Sequence, residues 1–221
     1  MNALETHALR LIGENTTSPD VFTDTDAGIA QIRASLNDAI QELCMVTGSY
    51  RRVYHLSLLA SRQFYRIAPQ NDYLAWIVSV WDRSQKRRLE RTDILTMSAQ
   101  DGWWMKRTGP PLQYMQLGLT HMGIYMAPSA QGVVLEIDCV MIPKSYTDDT
   151  APVRLRDNYQ RAAVYYAVSE FYASRGDAKR GQEYLERYLG MAGLASLRPV
   201  YAERQFQFGG YEQRIKLEVP A

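Results

Sequence analysis

The sequence predicts an α+β protein: a helical bundle, formed by an N-terminal helix and a C-terminal antiparallel helical hairpin, with an inserted antiparallel β-rich subdomain and an extended C-terminal arm. Three observations carry that prediction. Apolar residues recur at three- and four-residue steps near both ends of the chain, they alternate at period two through its middle, and they alternate again in its last twenty residues or so. The expected boundaries are residues 1–48 and 150–196 for the helical core, 49–149 for the β-rich insertion and 197–221 for the arm.

The first strong element covers about residues 27–46, where Ile29, Ile32, Leu36, Ile40, Leu43 and Cys44 form the stripe of an amphipathic helix. Asp24, Thr25 and Asp26 are candidate N-caps and Gly48 is a stop. A shorter helical pattern, Leu4, Ala8, Leu11 and Ile12, precedes it, followed by a polar loop at residues 14–20. Residues 50–68 then alternate and predict a pair of strands, closed by a turn at Pro69-Gln70-Asn71-Asp72. Residues 73–81 are β-branched and aromatic, and the basic stretch 83–91 reads as a hairpin tip with its return strand. Thr92-Asp93 can cap a short helix through Leu95, Met97 and Ala99. After the break at Gly109-Pro110-Pro111, three more strands are expected at 112–117, 122–126 and 133–141.

Helical spacing returns with Leu155, Tyr159, Ala162, Ala163, Tyr166 and Ala167. Arg175-Gly176-Asp177 predicts a tight turn, Gly176 closing one helix and Asp177 capping the next. Gly181, Tyr184, Leu185, Tyr188, Leu189 and Ala192 share a face of that second helix, so the two are expected as antiparallel neighbours. Ala162, Ala163 and Gly181 are small enough to let them approach closely. Beyond residue 197, Phe206 and Phe208 precede Gly209-Gly210, and Ile215, Leu217 and Val219 follow it, apolar alternating with polar. A lone two-stranded hairpin is marginal in water, so this segment is expected either as an edge hairpin or as an arm that adds a strand to a partner.

Composition excludes several classes. With 46% hydrophobic and 22% charged residues among 221, the chain is neither disordered nor fibrous. Lys+Arg 25 against Asp+Glu 24 leaves a net charge of +1, so no global field draws it to nucleic acid or a membrane surface. No apolar run approaches the roughly 20 residues that span a bilayer, and the polar start Met1-Asn2-Ala3-Leu4-Glu5-Thr6 does not read as a signal peptide. A soluble, non-secreted globular protein is expected. Its 15 tyrosines, with 4 Trp and 9 Met, suit either contact surfaces or an aromatic-rich core.

Chemical signatures are weak. His7, His55 and His121 never approach ligand spacing, and Cys44 and Cys139 are isolated, so neither a metal site nor a disulfide framework is expected. No G-x-S-x-G elbow is present. Gly176 and Gly181 have the glycine spacing of a phosphate loop, but Gln182-Glu183 replaces the lysine and hydroxyl that meet phosphate. Asp148-Asp149 reads as solvated or capping carboxylates. Arg83, Lys86, Arg87, Arg88 and Arg91 are the one cluster suited to phosphate, and a solvated hairpin tip explains it as well. No catalytic residue, metal or cofactor is predicted.

The order of elements resembles the head–tail adaptor (connector) proteins of tailed bacteriophages, including the tail tubular A type. Three stretches carry the resemblance: Ile29-Ala30-Gln31-Ile32-Arg33 with Leu36-Asn37-Asp38-Ala39-Ile40-Gln41-Glu42-Leu43; Gly109-Pro110-Pro111-Leu112-Gln113-Tyr114 with Val133-Val134-Leu135-Glu136-Ile137; and Tyr159-Gln160-Arg161-Ala162-Ala163-Val164-Tyr165-Tyr166-Ala167 with Glu183-Tyr184-Leu185-Glu186-Arg187-Tyr188. The resemblance implies a structural virion protein without an active site. Such a protein is made in the host cytoplasm and placed at the head–tail junction as a dodecameric ring below the portal protein. It extends the channel for double-stranded DNA, which passes without sequence-specific binding, and it presents a surface to a tail or nozzle protein. No membrane partner is implied. On this resemblance the arm is expected to enter the portal ring, with Phe206, Phe208, Tyr211, Ile215 and Leu217 as anchors. Arg83, Lys86, Arg87, Arg88 and Arg91 are expected at contacts with neighbouring subunits or proteins. A small hydrolase or nuclease without a recognisable motif, and a non-viral helical interaction module, are the alternatives.

Overall fold

The structure, a computed structural model, describes residues 2–13, 26–67, 72–147, 150 and 152–197. The helices in chain order are α1 (Asn2–Leu11), α2 (Asp26–Thr47), α3 (Ile94–Gln100), α4 (Asp157–Ser174) and α5 (Ala178–Ala192). The strands are β1 (Arg51–Ser57), β2 (Phe64–Arg66), β3 (Asp72–Asp82), β4 (Arg87–Arg88), β5 (Glu90–Arg91), β6 (Gln113–Leu117), β7 (His121–Tyr125) and β8 (Val134–Pro143). The fold is α+β, as expected. The chain divides into two compact units, Met1–Ile40 with Ser145–Ala221 and Gln41–Lys144, the division falling inside α2.

The helical unit is built on small and branched side chains. On α2 the predicted stripe is buried, with Ile32, Leu36, Ala39 and Ile40 all sealed from solvent. Asn37, also buried, bonds Tyr146 twice: its amide donates to the carbonyl at 3.1 Å and its oxygen accepts the N–H at 2.7 Å. That side chain imitates a strand partner and holds the returning chain to the helix. Arg33 forks onto Glu5 of α1 at 2.6 and 3.2 Å and donates to the Thr147 carbonyl at 3.1 Å. Glu5 is only 4% exposed, and a buried carboxylate requires such a partner.

The α4–α5 turn follows its sequence signals. Gly176 takes φ +80°, the left-handed region open to glycine, and the Asp177 carboxylate accepts the Arg180 N–H at 3.1 Å. At Gly181 the two helices do approach closely. A Cβ on Gly181 would sit 3.3 Å from the Ser169 carbonyl and the Ala173 nitrogen, and the Ser169 hydroxyl donates to the Gly181 carbonyl at 2.8 Å. Gly181 is therefore in contact with Ser169 and Ala173, while Ala162 and Ala163 are sealed from solvent nearer the start of α4. Leu155, read as part of the helical stripe, is buried but precedes α4; its carbonyl accepts the Gln160 amide at 2.7 Å, which closes the helix start.

The second unit holds two four-stranded sheets, ordered β1-β8-β3-β4 and β2-β7-β6-β5. All pairings are antiparallel except β5 with β6, which is parallel. The run 50–68 does give two strands, but β1 pairs β8 while β2 pairs β7 in the other sheet. Between them Leu58 is buried, Ser61 takes φ +59°, and the Tyr65 hydroxyl bonds the backbone of Leu59 and Arg62. Those bonds turn the chain away before a hairpin can form. β3 carries two register shifts, and the Gln116 amide of β6 meets the first: it accepts from the Ile77 N–H at 3.2 Å and donates to the Ala75 carbonyl at 2.9 Å. Met97, Trp104 and Met115 form a buried cluster beneath α3.

Candidate functional site

The basic stretch forms the expected hairpin tip and return strand as far as Arg88, and then leaves it for the other sheet. Arg83 and Lys86 lie in the turn after β3, Arg87 and Arg88 form β4, and Arg91 belongs to β5 in the other sheet. Leu89 causes the split. It is buried, its N–H bonds the Val80 carbonyl at 2.9 Å, and the next N–H, of Glu90, goes to the Leu112 carbonyl at 3.1 Å. Three of the five cations make hydrogen bonds within the chain. Arg83 donates to Glu136 at 2.7 Å, and half-buried Arg87 donates to the Pro111 carbonyl. The Arg83 hydrogen bond holds the Glu136 carboxyl below its usual range, with His55 a smaller contributor. Lys86, Arg88 and Arg91 are exposed, Arg88 reaching the Val78 carbonyl at 3.4 Å.

The most exposed apolar surface was missed by sequence reasoning. On α3 and the 3-10 turn Trp104–Lys106, Leu95 is 79% exposed, with Ile94, Trp103 and Met105 also outside. Asp93 caps α3, accepting the Leu95 and Thr96 N–H groups at 2.9 Å. The Thr96 hydroxyl, which also donates to Asp93, is the main reason its carboxyl is held low. Of the Trp103-Trp104 pair only Trp104 is inside; its indole N–H donates to Ser98 at 3.2 Å, while the Lys106 ammonium lies 4.6 Å from the centre of the exposed Trp103 ring. A signal existed: Ile94, Leu95 and Met97 are too many apolar residues for the single inner face of a seven-residue helix.

Tyrosine divides between the two expected uses. Tyr50, Tyr65, Tyr114 and Tyr188 are buried, whereas Tyr172 and Tyr184 stack at 5.8 Å on the partly exposed side of the α4–α5 hairpin. Arg180 and Arg187 lie over those two rings. His55 faces Glu136 at 3.4 Å, and His121 meets the Thr120 hydroxyl at 2.8 Å. Cys44 and Cys139 are free and buried, and burial pushes both thiols up to about 12, out of the range of a reactive thiolate. Among the described residues no three of His, Cys, Asp and Glu gather as metal ligands, and no helix is long and apolar enough to cross a membrane. Asp148-Asp149 and the expected anchors Phe206, Phe208, Tyr211, Ile215 and Leu217 lie outside the described residues.

Among the described residues the exposed features are an apolar patch around Leu95 and Trp103 and the cations of the β3–β4 hairpin. The model of one protein family, described as SU10 adaptor protein, matches residues 3–207. No curated protein matches the chain.

Proposed function

This chain belongs to the SU10 adaptor protein family, a family of phage head–tail adaptors, and from that premise we propose how it works in the virion. Copies close into a ring, a dodecamer by its resemblance to the tail tubular A type, that docks below the portal and extends the DNA channel toward a tail or nozzle protein. Ring closure requires a heterologous interface, with different surfaces of one subunit meeting its two neighbours. The cations Arg83, Lys86, Arg87, Arg88 and Arg91 are contacts to a neighbouring subunit or protein, Arg83, Arg87 and Arg88 also bonding within the chain. Portal attachment falls to the C-terminal segment, whose expected anchors are Phe206, Phe208, Tyr211, Ile215 and Leu217. We keep it on the three beyond the Gly209-Gly210 break, Tyr211, Ile215 and Leu217, because that stretch alternates as an added strand does, and assign Phe206 and Phe208 to a neighbouring copy. A net charge of +1 suits a conduit, since a strongly basic lumen would hold the duplex through its phosphates.

The single observation that carries this reading is the family match across residues 3–207, nearly the whole chain. Size exclusion with mass measurement, alone and with the cognate portal protein, tests it. A ring that co-elutes with the portal is expected. A monomer that ignores the portal, or that cleaves DNA, would overturn it.

A further inference from the structure

Sheet edges in this protein are blunt, with one exception. Among the described residues the edge strands β2, β4 and β5 have three, two and two residues. β1, the remaining edge, has seven, contains no proline and runs in unbroken register against β8 from Arg51↔Val140 to Ser57↔Val134. Short strands, bulges and prolines are the usual means of keeping an edge from pairing with another chain, and β1 uses none of them.

Hydrogen-bond parity fixes which groups that edge presents. The Met141 N–H donates to the Tyr50 carbonyl and the Leu58 N–H donates to the Val133 carbonyl, both at 2.8 Å and both in the β1–β8 register. Bonded and non-bonded pairs alternate along an antiparallel ladder. Arg52, Tyr54 and Leu56 therefore bond β8, and Arg51, Val53, His55 and Ser57 turn their N–H and C=O outward. Among the described residues nothing bonds those outward groups. The side chains of the same four residues stand on the exposed face, where Arg51 pairs with Asp138 and His55 faces Glu136, leaving Val53, 56% exposed, as an apolar point between neutralised charges.

We infer that this edge receives residues 203–208 of a second copy as an added strand. The inference rests on the ring reading above. Residues 198–221 lie beyond the described chain, and the first alternating piece, Gln205-Phe206-Gln207-Phe208, begins only a few residues after Leu197. The five residues 198–202 span at most about 18 Å when extended. Residues two apart in a strand share a face, so Phe206 and Phe208 lie together beside Val53 while Gln205 and Gln207 take the side of Arg52 and Tyr54. Proximity selects this piece over the distal one, since Gln205-Phe206-Gln207-Phe208 follows Leu197 by a short tether whereas the distal piece begins only beyond Gly209-Gly210. One copy thus donates a strand and accepts another, which is a heterologous contact able to close a ring.

Full-length protein carrying Val53→Cys with Phe206→Cys tests the pairing in assembled rings. Cys44 and Cys139 are buried, so the added thiols report alone. Oxidation should yield a ladder of covalent multimers that neither single variant forms. A disulfide only within one chain, or none in intact rings, overturns the inference, as does coupling of Phe206→Cys to portal protein in its place. Phe206→Ser with Phe208→Ser, checked for an unchanged melting temperature, should weaken self-association at least tenfold; unchanged association also overturns it. Uncoupled rings that still bind the portal remove this inference and leave the adaptor reading standing, whereas loss of rings and portal binding in the unmodified chain removes the latter.

Discussion

The α4–α5 hairpin and the α3 segment are both helical turns in a short stretch of chain, and they treat apolar residues in opposite ways. The hairpin brings Gly181 against the backbone of Ser169 and Ala173, with Ala162, Ala163, Val164, Ala167 and Val168 sealed behind. The α3 segment buries Met97 and Trp104 and leaves Ile94, Leu95, Trp103 and Met105 in water. Small residues at a crossing give rigidity through close packing over a whole face. Large residues turned outward give none, and contribute only when something else covers them. Hydrophobicity by itself therefore does not separate framework from surface here; side-chain size and helix length do.

That comparison can be broken at its strongest point first. Trp104→Ala should destabilise the second unit by about 3–5 kcal/mol, as removal of a buried aromatic side chain does, with the loss read by thermal or denaturant unfolding. Gly181→Leu should cost the helical unit about 1–3 kcal/mol or more by overpacking; an unchanged melting temperature would mean that the crossing has room. Leu95→Ser together with Trp103→Ser should stay within about 0.5 kcal/mol of the parent, as exposed positions do. A loss of the size expected for Trp104→Ala would place those side chains in a core. With the fold intact, any change in ring formation in this double variant measures assembly alone.

Periodicity made most elements legible. The stripe of Ile32, Leu36, Ile40 and Leu43 is α2, and the capping signals of Asp93, Gly176 and Asp177 stand where the sequence suggests, because each acts over three or four residues. Strand partners were not legible, since β1 and β2 are separated by a turn whose bonds come from Tyr65 and whose course depends on buried Leu58. The basic stretch looked like one patch because charge is local in sequence, and it is split because buried Leu89 passes the chain from one sheet to the other. The open edge of β1 left no trace in composition at all. It follows from which strands are missing beside it.

The Gln116 side chain gives the second unit one more property. Ile77 sits in β3, yet its amide hydrogen is held by an oxygen from the opposite sheet. In deuterated solvent that hydrogen should be released when the Gln116 side chain lets go, as it must when the two sheets part, whereas neighbouring amides bonded along β3 and β8 answer to fraying of their own ladder. One backbone position thus acts as a clock for an event in the other half of its unit, and its exchange rate measures whether the sheets open together or one at a time.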